Sequence, residues 1–221
     1  MLVDLKHSLV QGQLLTYLKQ NSVCWQIQQN ENYRWLLMDE TIQSVMSLEQ
    51  SSLLTLPHQQ PLKGLVDILP QQPRVLELGL GGGSNARYII SQRPEAIIDV
   101  VECSQIVIDW FDRYFNPTAI TLHCHKANAG DFLQQPAGQF DLLISDIFNQ
   151  QYSVFSQLLE TVLPRLARVI KPHGFAYLNF IPDRVSEGQQ LKRALLDSEF
   201  KLLWGEQIIG FKNWVYLVER R

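Results

Sequence analysis

The fold follows from residues 74–90, which read Arg74-Val75-Leu76-Glu77-Leu78-Gly79-Leu80-Gly81-Gly82-Gly83-Ser84-Asn85-Ala86-Arg87-Tyr88-Ile89-Ile90. A short apolar run ends in a cluster of glycines, and a helical pattern begins directly after it. This order predicts a strand, a tight turn and a helix whose N-terminus can receive a ligand. Glycine permits positive φ and lets a nucleotide approach without meeting a Cβ atom. We therefore expect Gly79, Gly81 and Gly83 to shape a nucleotide cradle.

Strands and helices alternate on the C-terminal side of this turn. Strands are predicted at 74–79, 97–102, 119–124, 139–146 and 174–181, with helices at about 84–92, 104–115, 128–134, 152–169 and 184–197. Such alternation predicts a parallel sheet with right-handed crossovers, and Pro164 should kink its helix. The last two strands, 199–207 and 211–219, are separated by only three residues and must form an antiparallel hairpin.

The section before the glycine turn has a different pattern. A helix is predicted over residues 1–20, strands over 22–28, 33–38 and 42–48, and a second helix over 57–69. The first two of these strands are joined by the polar turn residues 29–32, so they should form a hairpin. We therefore divide the chain into residues 1–56, a small helix and β-hairpin region, and residues 57–221, the catalytic domain.

Composition excludes several classes of protein. The 221 residues are 46% hydrophobic and carry a net charge of −3, without a basic cluster for nucleic acid. No apolar run approaches the roughly 20 residues that cross a bilayer, and the N-terminus shows no signal-peptide pattern. The three cysteines are scattered and odd in number, so they form no disulfide framework. We expect a cytoplasmic protein that binds neither nucleic acid nor membrane.

The glycine spacing and the C-terminal hairpin favour S-adenosylmethionine over a dinucleotide as the ligand. Gly79, Gly81 and Gly83 are followed by Ser84, where a dinucleotide fingerprint would place its third glycine. A dinucleotide-binding fold would also continue with further parallel strands rather than a hairpin. The pattern is typical of an α/β, Rossmann-like S-adenosylmethionine-dependent methyltransferase fold. Its sheet would be mostly parallel and seven-stranded, closed by the antiparallel C-terminal hairpin.

Two polar residues follow the second and third predicted strands. Glu102 stands where an acidic residue accepts both hydroxyls of a ribose, although it could instead cap the next helix beside Ser104. The amide oxygen of Asn128 could accept a hydrogen bond from the exocyclic amine of an adenine, or Asn128 could be a helix N-cap. Each residue is a candidate ligand contact with a structural alternative.

Asp146 ends the fourth strand, where the carboxyl ends of parallel strands line a ligand crevice. Its carboxylate could orient a nucleophilic amine or hydroxyl and accept its proton, or it could cap the following helix. His123 and His125 share one face of a strand, but no third ligand is suggested nearby. We therefore predict a catalytic role for Asp146 and no metal site.

Five segments carry sequence motifs in a fixed order: residues 33–43, 75–87, 101–103, 128–133 and 141–149. In this order they resemble the spermidine synthase family, the aminopropyltransferases, which share the methyltransferase fold, and the resemblance covers nearly the whole chain. It implies that Gln43 touches the bound nucleotide and that Glu102 and Cys103 lie in the ribose-binding segment. It also implies that Asn128 and Ala129 bind adenine, and that Asp146 is the catalytic aspartate.

The chain departs from this family at the donor and acceptor sites. The family's glycine loop carries an aspartate that helps hold the amine of decarboxylated S-adenosylmethionine, and Gly82 stands at that position. Glu77 is instead the acidic residue usual in methyltransferase loops. The polyamine-tunnel element that follows the family's hairpin has no counterpart in residues 48–54, and Asn149 replaces a second aspartate. A polyamine site should present several carboxylates to offset desolvation of its ammonium groups.

Three hypotheses are compatible with these residues. The first is a spermidine synthase-like enzyme that transfers the methyl group of intact S-adenosylmethionine to a small-molecule acceptor. The second is a divergent polyamine aminopropyltransferase that uses decarboxylated S-adenosylmethionine. The third is a nucleotide-binding protein without catalysis that acts through an interface. The resemblance also implies a homodimer.

Overall fold

The computed structural model describes residues 4, 7–9, 11–20, 22–135, 138–148 and 154–221 as two separate sheets. The first is antiparallel, in the order β1-β2-β3-β4. Its strands are β1 Gln13–Gln20, β2 Val23–Gln29, β3 Tyr33–Met38 and β4 Thr41–Ser47. The three strands predicted before residue 50 are thereby confirmed.

The helix predicted over residues 1–20 is wrong over residues 13–20, which form β1. That strand pairs with β2 from Gln13 opposite Gln29 to Gln20 opposite Val23. The apolar residues at helical spacing are not a buried stripe, because Leu14 is 53% and Leu18 41% exposed. Backbone pairing along β2 therefore decided the structure. Residues 1–3, 5, 6 and 10 of that predicted helix lie outside the described residues.

The second sheet has seven strands in the order β10-β11-β9-β8-β5-β6-β7. They are β5 Arg74–Leu78, β6 Ile97–Glu102, β7 His123–Lys126, β8 Phe140–Ser145, β9 Ile170–Phe180, β10 Phe200–Gln207 and β11 Trp214–Arg220. β5 to β9 are parallel, whereas β11 lies antiparallel between β9 and β10. The mostly parallel sheet and its C-terminal hairpin are confirmed.

Helices cover the faces of this sheet. They are α1 Leu62–Ile68, α2 Ser84–Gln92, α3 Gln105–Trp110, α4 Ala129–Phe132, α5 Val154–Gln157, α6 Leu163–Val169 and α7 Val185–Leu196. A 3-10 turn at Pro57–Gln59 precedes α1, and π-helical turns at Phe111–Phe115 and Leu158–Val162 follow α3 and α5. The second π-turn ends just before Pro164, whose missing N–H disturbs regular helical bonding. Residues 152 and 153 of the predicted helix lie outside the described residues.

The third predicted parallel strand was placed about four residues too early. Residues 119–122 form a loop, because Ala119 has φ 50° and the Asn116 side chain bonds both backbone groups of Ile120. β7 therefore begins at His123, which lies opposite Asp99 of β6. This shift leaves only Ala127 between the end of β7 and Asn128.

Hydrophobic packing joins the two sheets. Ile27, Leu36 and Met46 of the first sheet belong to the same buried cluster as Val75 and Leu80 beside the glycine turn. The division into residues 1–56 and 57–221 stays a prediction. Among the helices of the described residues, none is long and apolar enough to cross a membrane.

Candidate functional site

A cavity of about 510 Å³ lies where the first sheet meets the carboxyl ends of the parallel strands. It is lined by nearly all the residues that the sequence nominated: Gln43, Glu77, Gly79, Gly81, Glu102, Cys103, Asn128, Ala129 and Asp146. Gly83 does not line the cavity but is the N-cap of α2. The cavity spans the gap between β5 and β8, where the strand order reverses and open α/β sheets bind ligands.

The glycine turn needs its glycines for steric reasons. Gly79 has φ 92°, and a Cβ atom there would lie 2.5 Å from the carbonyl oxygen of Asp146. Gly83 has φ 65°, and a Cβ atom there would overlap the ring of Phe111. The turn is thus packed against β8 on one side and the first π-turn on the other. At Gly79 and Gly81, which line the cavity, the turn presents main chain without a Cβ atom.

Glu102 braces the glycine turn and the start of α3, and its contact with a ribose stays a prediction. One carboxylate oxygen accepts the Leu80 N–H at 3.1 Å, and the other accepts the Ser104 N–H at 2.8 Å. Ser104 itself caps α3 by accepting from Val107. A carboxylate has about four acceptor positions, so Glu102 can brace the turn and still accept two hydroxyls.

Glu77 is a buried acid at the floor of the cavity. It is 1% exposed, and Oε1 accepts a hydrogen bond from Asn85 at 2.9 Å. Within the described part of the chain, Oε2 is buried without a hydrogen-bond partner. Burial raises the pKa of Glu77 to about 8, against 4.5 ordinarily, although the Asn85 hydrogen bond lowers it. Such an oxygen suits a ligand that brings a positively charged donor.

Asn128 is the N-cap of α4, since its side-chain oxygen accepts the Gly130 N–H at 2.8 Å. The structural alternative is therefore present, while Asn128 and Ala129 both line the cavity. The amide oxygen has a second lone pair, so an adenine contact stays a prediction. Gln43 also lines the cavity, and its amide makes only a 3.4 Å bond to Thr41.

Asp146 is held by a chain of amides. Asn179 donates to its Oδ1 at 2.6 Å, and Asn213 donates to the oxygen of Asn179 at 3.0 Å. The other carboxylate oxygen lies 3.9 Å from Nε2 of His58. Asp146 is 26% exposed at its side chain and faces the cavity. It is oriented by side chains while one oxygen stays available.

His58 gives this end of the cavity a second proton acceptor. Burial lowers its pKa more strongly than the nearby Asp146 raises it, so the imidazole is neutral at neutral pH. Its carbonyl oxygen accepts a hydrogen bond from the buried Tyr177 hydroxyl, which fixes the backbone at this point. A neutral imidazole beside a carboxylate can accept a proton from an acceptor substrate.

Cys103, His123 and His125 are the remaining residues that the sequence raised as candidates. Partial desolvation and the neighbouring Glu102 raise the pKa of the Cys103 thiol, which keeps it protonated at neutral pH. His125 bonds the buried Asp99 at 2.8 Å, with His123 3.8 Å from the same oxygen. Among the described residues, no group of three or more His, Cys, Asp or Glu side chains is placed to hold a metal ion.

Sequence reasoning missed several polar side chains that line the cavity: Ser44, His58, Gln59, Ser84, Asn85, Asn179 and Asn213. Gln59 and Asn85 form a buried chain to Glu77, through a 3.4 Å and a 2.9 Å hydrogen bond. One signal was available, because His58 and Gln59 directly follow a proline at a predicted helix start. The other residues lie in segments with no motif of their own.

Comparisons with known proteins agree with this fold. A family model described as a methyltransferase domain matches residues 75–174. The polyamine aminopropyltransferase of Chromobacterium violaceum is 27% identical over 158 residues, which cover 70% of this chain. Those residues span only 60% of that relative's length.

Two solved structures share the fold. A probable spermidine synthase from Corynebacterium glutamicum has a TM-score of 0.75 at 13% identity, covering 93% of this chain and 79% of its own. Human methyltransferase-like protein 13, solved in complex with SAH, has a TM-score of 0.60 at 19% identity. That match covers 77% of this chain and 78% of the human one. At such identities the likeness establishes the fold alone.

Proposed function

We propose that the chain is a methyltransferase-fold member of the spermidine synthase family that binds intact S-adenosylmethionine and transfers its methyl group to a small acceptor. The observation that carries the proposal is the convergence of Glu77, Glu102 and Asp146 on one cavity beside the glycine turn. Relatives named as aminopropyltransferases and a fold relative holding SAH support a donor of this type.

The donor half of the cavity matches the parts of such a ligand. Glu102 keeps acceptor positions for two ribose hydroxyls after binding Leu80 and Ser104. Asn128 and Ala129 lie where adenine would be read, next to the end of β7. Glu77 offers its unpartnered oxygen to the ammonium group of the amino-acid end.

Catalysis is mainly positioning. Bound S-adenosylmethionine supplies an electrophilic methyl on a sulfonium sulfur, so the acceptor needs only an aligned lone pair. Asp146, fixed by Asn179, orients that nucleophile. As the new bond to the methyl carbon forms, the carbon–sulfur bond breaks and its electron pair stays on sulfur. Asp146 or His58 takes the proton that the acceptor loses.

The second candidate is a divergent aminopropyltransferase that uses the decarboxylated donor, which the name of the Chromobacterium violaceum relative favours. Against it, Gly82 supplies no donor-selecting carboxylate, and a Cβ atom there would lie 2.7 Å from the Ser44 hydroxyl, so an aspartate would have to displace the Ser44 side chain. A nucleotide-binding protein without catalysis is the third. That the protein forms a homodimer and acts in the cytoplasm remains a prediction.

Transfer of an isotope label tests the reaction. The protein is incubated with a small-molecule cell extract and S-adenosylmethionine labelled in its methyl group, and products are read by mass spectrometry. We expect labelled product and SAH from the wild type and neither from Asp146→Asn. Spermidine formed from putrescine and the decarboxylated donor would establish the second candidate instead. Failure of every incubation, with the donor still bound, would favour the third.

A further inference from the structure

We propose that the hydroxyl pair of Ser44 and Ser84 is the subsite for the donor's carboxylate and makes the cavity select intact over decarboxylated S-adenosylmethionine. This inference rests on the proposed function and names the residues that decide its donor. The pair joins two distant segments, since Ser44 belongs to β4 and Ser84 opens α2. The two Oγ atoms lie 3.2 Å apart, each residue is 4% exposed, and both line the cavity.

A buried arginine makes this pair a hydrogen-bond donor. Nη2 of Arg87 donates to the Ser84 oxygen at 3.3 Å, and its other nitrogens donate to the carbonyl oxygens of Ser51, Gly82 and Phe115. Arg87 is 2% exposed, and burial lowers its pKa to about 9, which leaves it charged at neutral pH. An arginine can only donate, so one of the two acceptor positions of the Ser84 oxygen is taken by Arg87.

The serine pair keeps one hydroxyl hydrogen that can be donated to a ligand. The two hydroxyls carry two hydrogens, and one of them bridges the two oxygens. The other hydrogen is left for the cavity, and the Arg87 charge behind Ser84 strengthens it as a donor. Ser84 is also the first residue of α2, so the positive end of the helix dipole lies at the same place. Such a group fits an anion.

The Ser44 hydroxyl lies beside Gly82, the position at which the family's loop carries an aspartate. The family's loop aspartate corresponds to Gly82, and a side chain there would start 2.7 Å from the Ser44 oxygen. The Ser44 hydroxyl thus occupies the space into which that carboxylate would project. A negative acceptor suited to an ammonium group is exchanged for a neutral donor suited to a carboxylate. The ligand group preferred at this point is therefore negatively charged rather than positively charged.

Glu77 supplies the other half of an amino-acid site. Glu77 lines the same cavity, and its Oε2 is buried without a hydrogen-bond partner among the described residues. It receives the ammonium group while the serine pair receives the carboxylate, so together they recognise a zwitterion. The decarboxylated donor would satisfy Glu77 and leave the serine pair desolvated and unpaired, which weakens its binding.

Calorimetric titration of three ligands tests the subsite. SAH carries both charged groups, decarboxylated SAH lacks the carboxylate, and methylthioadenosine lacks the whole amino-acid end. Ser44→Ala and Ser84→Ala should each lower affinity for SAH about tenfold, the usual size of a hydrogen bond to a charged group. Affinity for the other two ligands should change less than about twofold.

A matched control and a second variant complete the test. Ser47 lies on the same strand, is also buried, and its hydroxyl accepts from Gln50 at 3.2 Å rather than lining the cavity. Ser47→Ala should leave all three affinities unchanged. Ser44→Asp restores a carboxylate and should move the preference towards decarboxylated SAH.

Three results would overturn the inference. If Ser44→Ala weakens all three ligands equally, the pair only joins β4 to α2. If the wild type binds decarboxylated SAH as tightly as SAH, the subsite does not select, although the proposed donor family stands. If the wild type binds none of the three, the proposed function and this inference fail together.

Discussion

The two ends of the cavity are built by different means. At the donor end, Glu102 bonds two backbone amides and the glycine turn presents main chain. At the acceptor end, Asp146 is held by the side chain of Asn179, which depends on Asn213. The donor end is therefore part of the fold, whereas the acceptor end is a network of side chains that can be changed separately. Substitutions should divide accordingly between donor affinity and turnover.

Asp146→Asn should have the largest effect of these substitutions. It should lower turnover without changing the affinity for the donor. It keeps the shape but removes the charge that orients the nucleophile, so turnover should fall on the order of a thousandfold. SAH affinity, measured by calorimetry, should stay within about twofold, because no donor-end hydrogen bond involves the Asp146 side chain in the described residues. A parallel loss of SAH affinity would show that the two ends are not separate.

Glu77→Gln tests whether ionisation of the buried Glu77 carboxyl group destabilises the folded protein. The pKa of Glu77 is raised to about 8 from 4.5 by burial, so the folded protein holds a proton that the unfolded chain loses. That stability is full below pH 4.5 and is lost as pH rises to about 8. Between pH 5 and 9 the unfolding free energy of the wild type should fall by on the order of 4 kcal/mol relative to Glu77→Gln.

Denaturant titrations of both proteins at several pH values measure this difference. Glutamine can still accept the Asn85 hydrogen bond, so the variant keeps that contact. Parallel pH profiles for the two proteins would mean that Glu77 is not a source of the pH dependence. Bound SAH should reduce the difference, because its ammonium group offsets the charge of ionised Glu77.

Glu102→Gln should weaken every donor alike, in contrast to the selective loss expected at Ser44. A glutamine has one acceptor oxygen, so it cannot serve both backbone amides and the ribose. Affinity for SAH and for methylthioadenosine should both fall about 30-fold by calorimetry. Glu206→Gln, at an exposed position of β10, is the control. Unchanged affinity would show that Glu102 only braces the turn.

Asn213→Ala should have the smallest effect, since it acts on Asp146 only through Asn179. We expect kcat to fall less than about tenfold, with KM for the donor unchanged. Asn179→Ala, which removes the direct bond, should lower kcat further. Equal effects of the two substitutions would contradict a chain that passes through Asn179.

Four residues of the candidate site could be predicted because they end parallel strands or follow them closely. Gly79 follows β5, Glu102 ends β6, Asn128 stands two residues after β7 and Asp146 follows β8. Parallel strands place their carboxyl ends at one edge, so pattern alone brings these positions together. Asn128 lies at this edge although β7 was predicted about four residues too early, because Asn128 still follows the end of the strand.

The rest depended on contacts between distant segments. Apolar spacing in residues 13–20 suited a helix, and only pairing with β2 made them a strand. Ser44, Asn179 and Asn213 have no motif around them in the sequence, and they line the cavity only because three parts of the chain meet there. No local pattern marks such residues, because their chemistry comes from neighbours far along the sequence.

The most direct test of this account is a calorimetric comparison of intact and decarboxylated S-adenosylmethionine on the wild-type protein. The serine pair backed by Arg87 and the lack of a loop carboxylate at Gly82 predict that the intact donor binds at least about tenfold more tightly. Tighter binding of the decarboxylated donor would contradict the account and return the chain to polyamine chemistry.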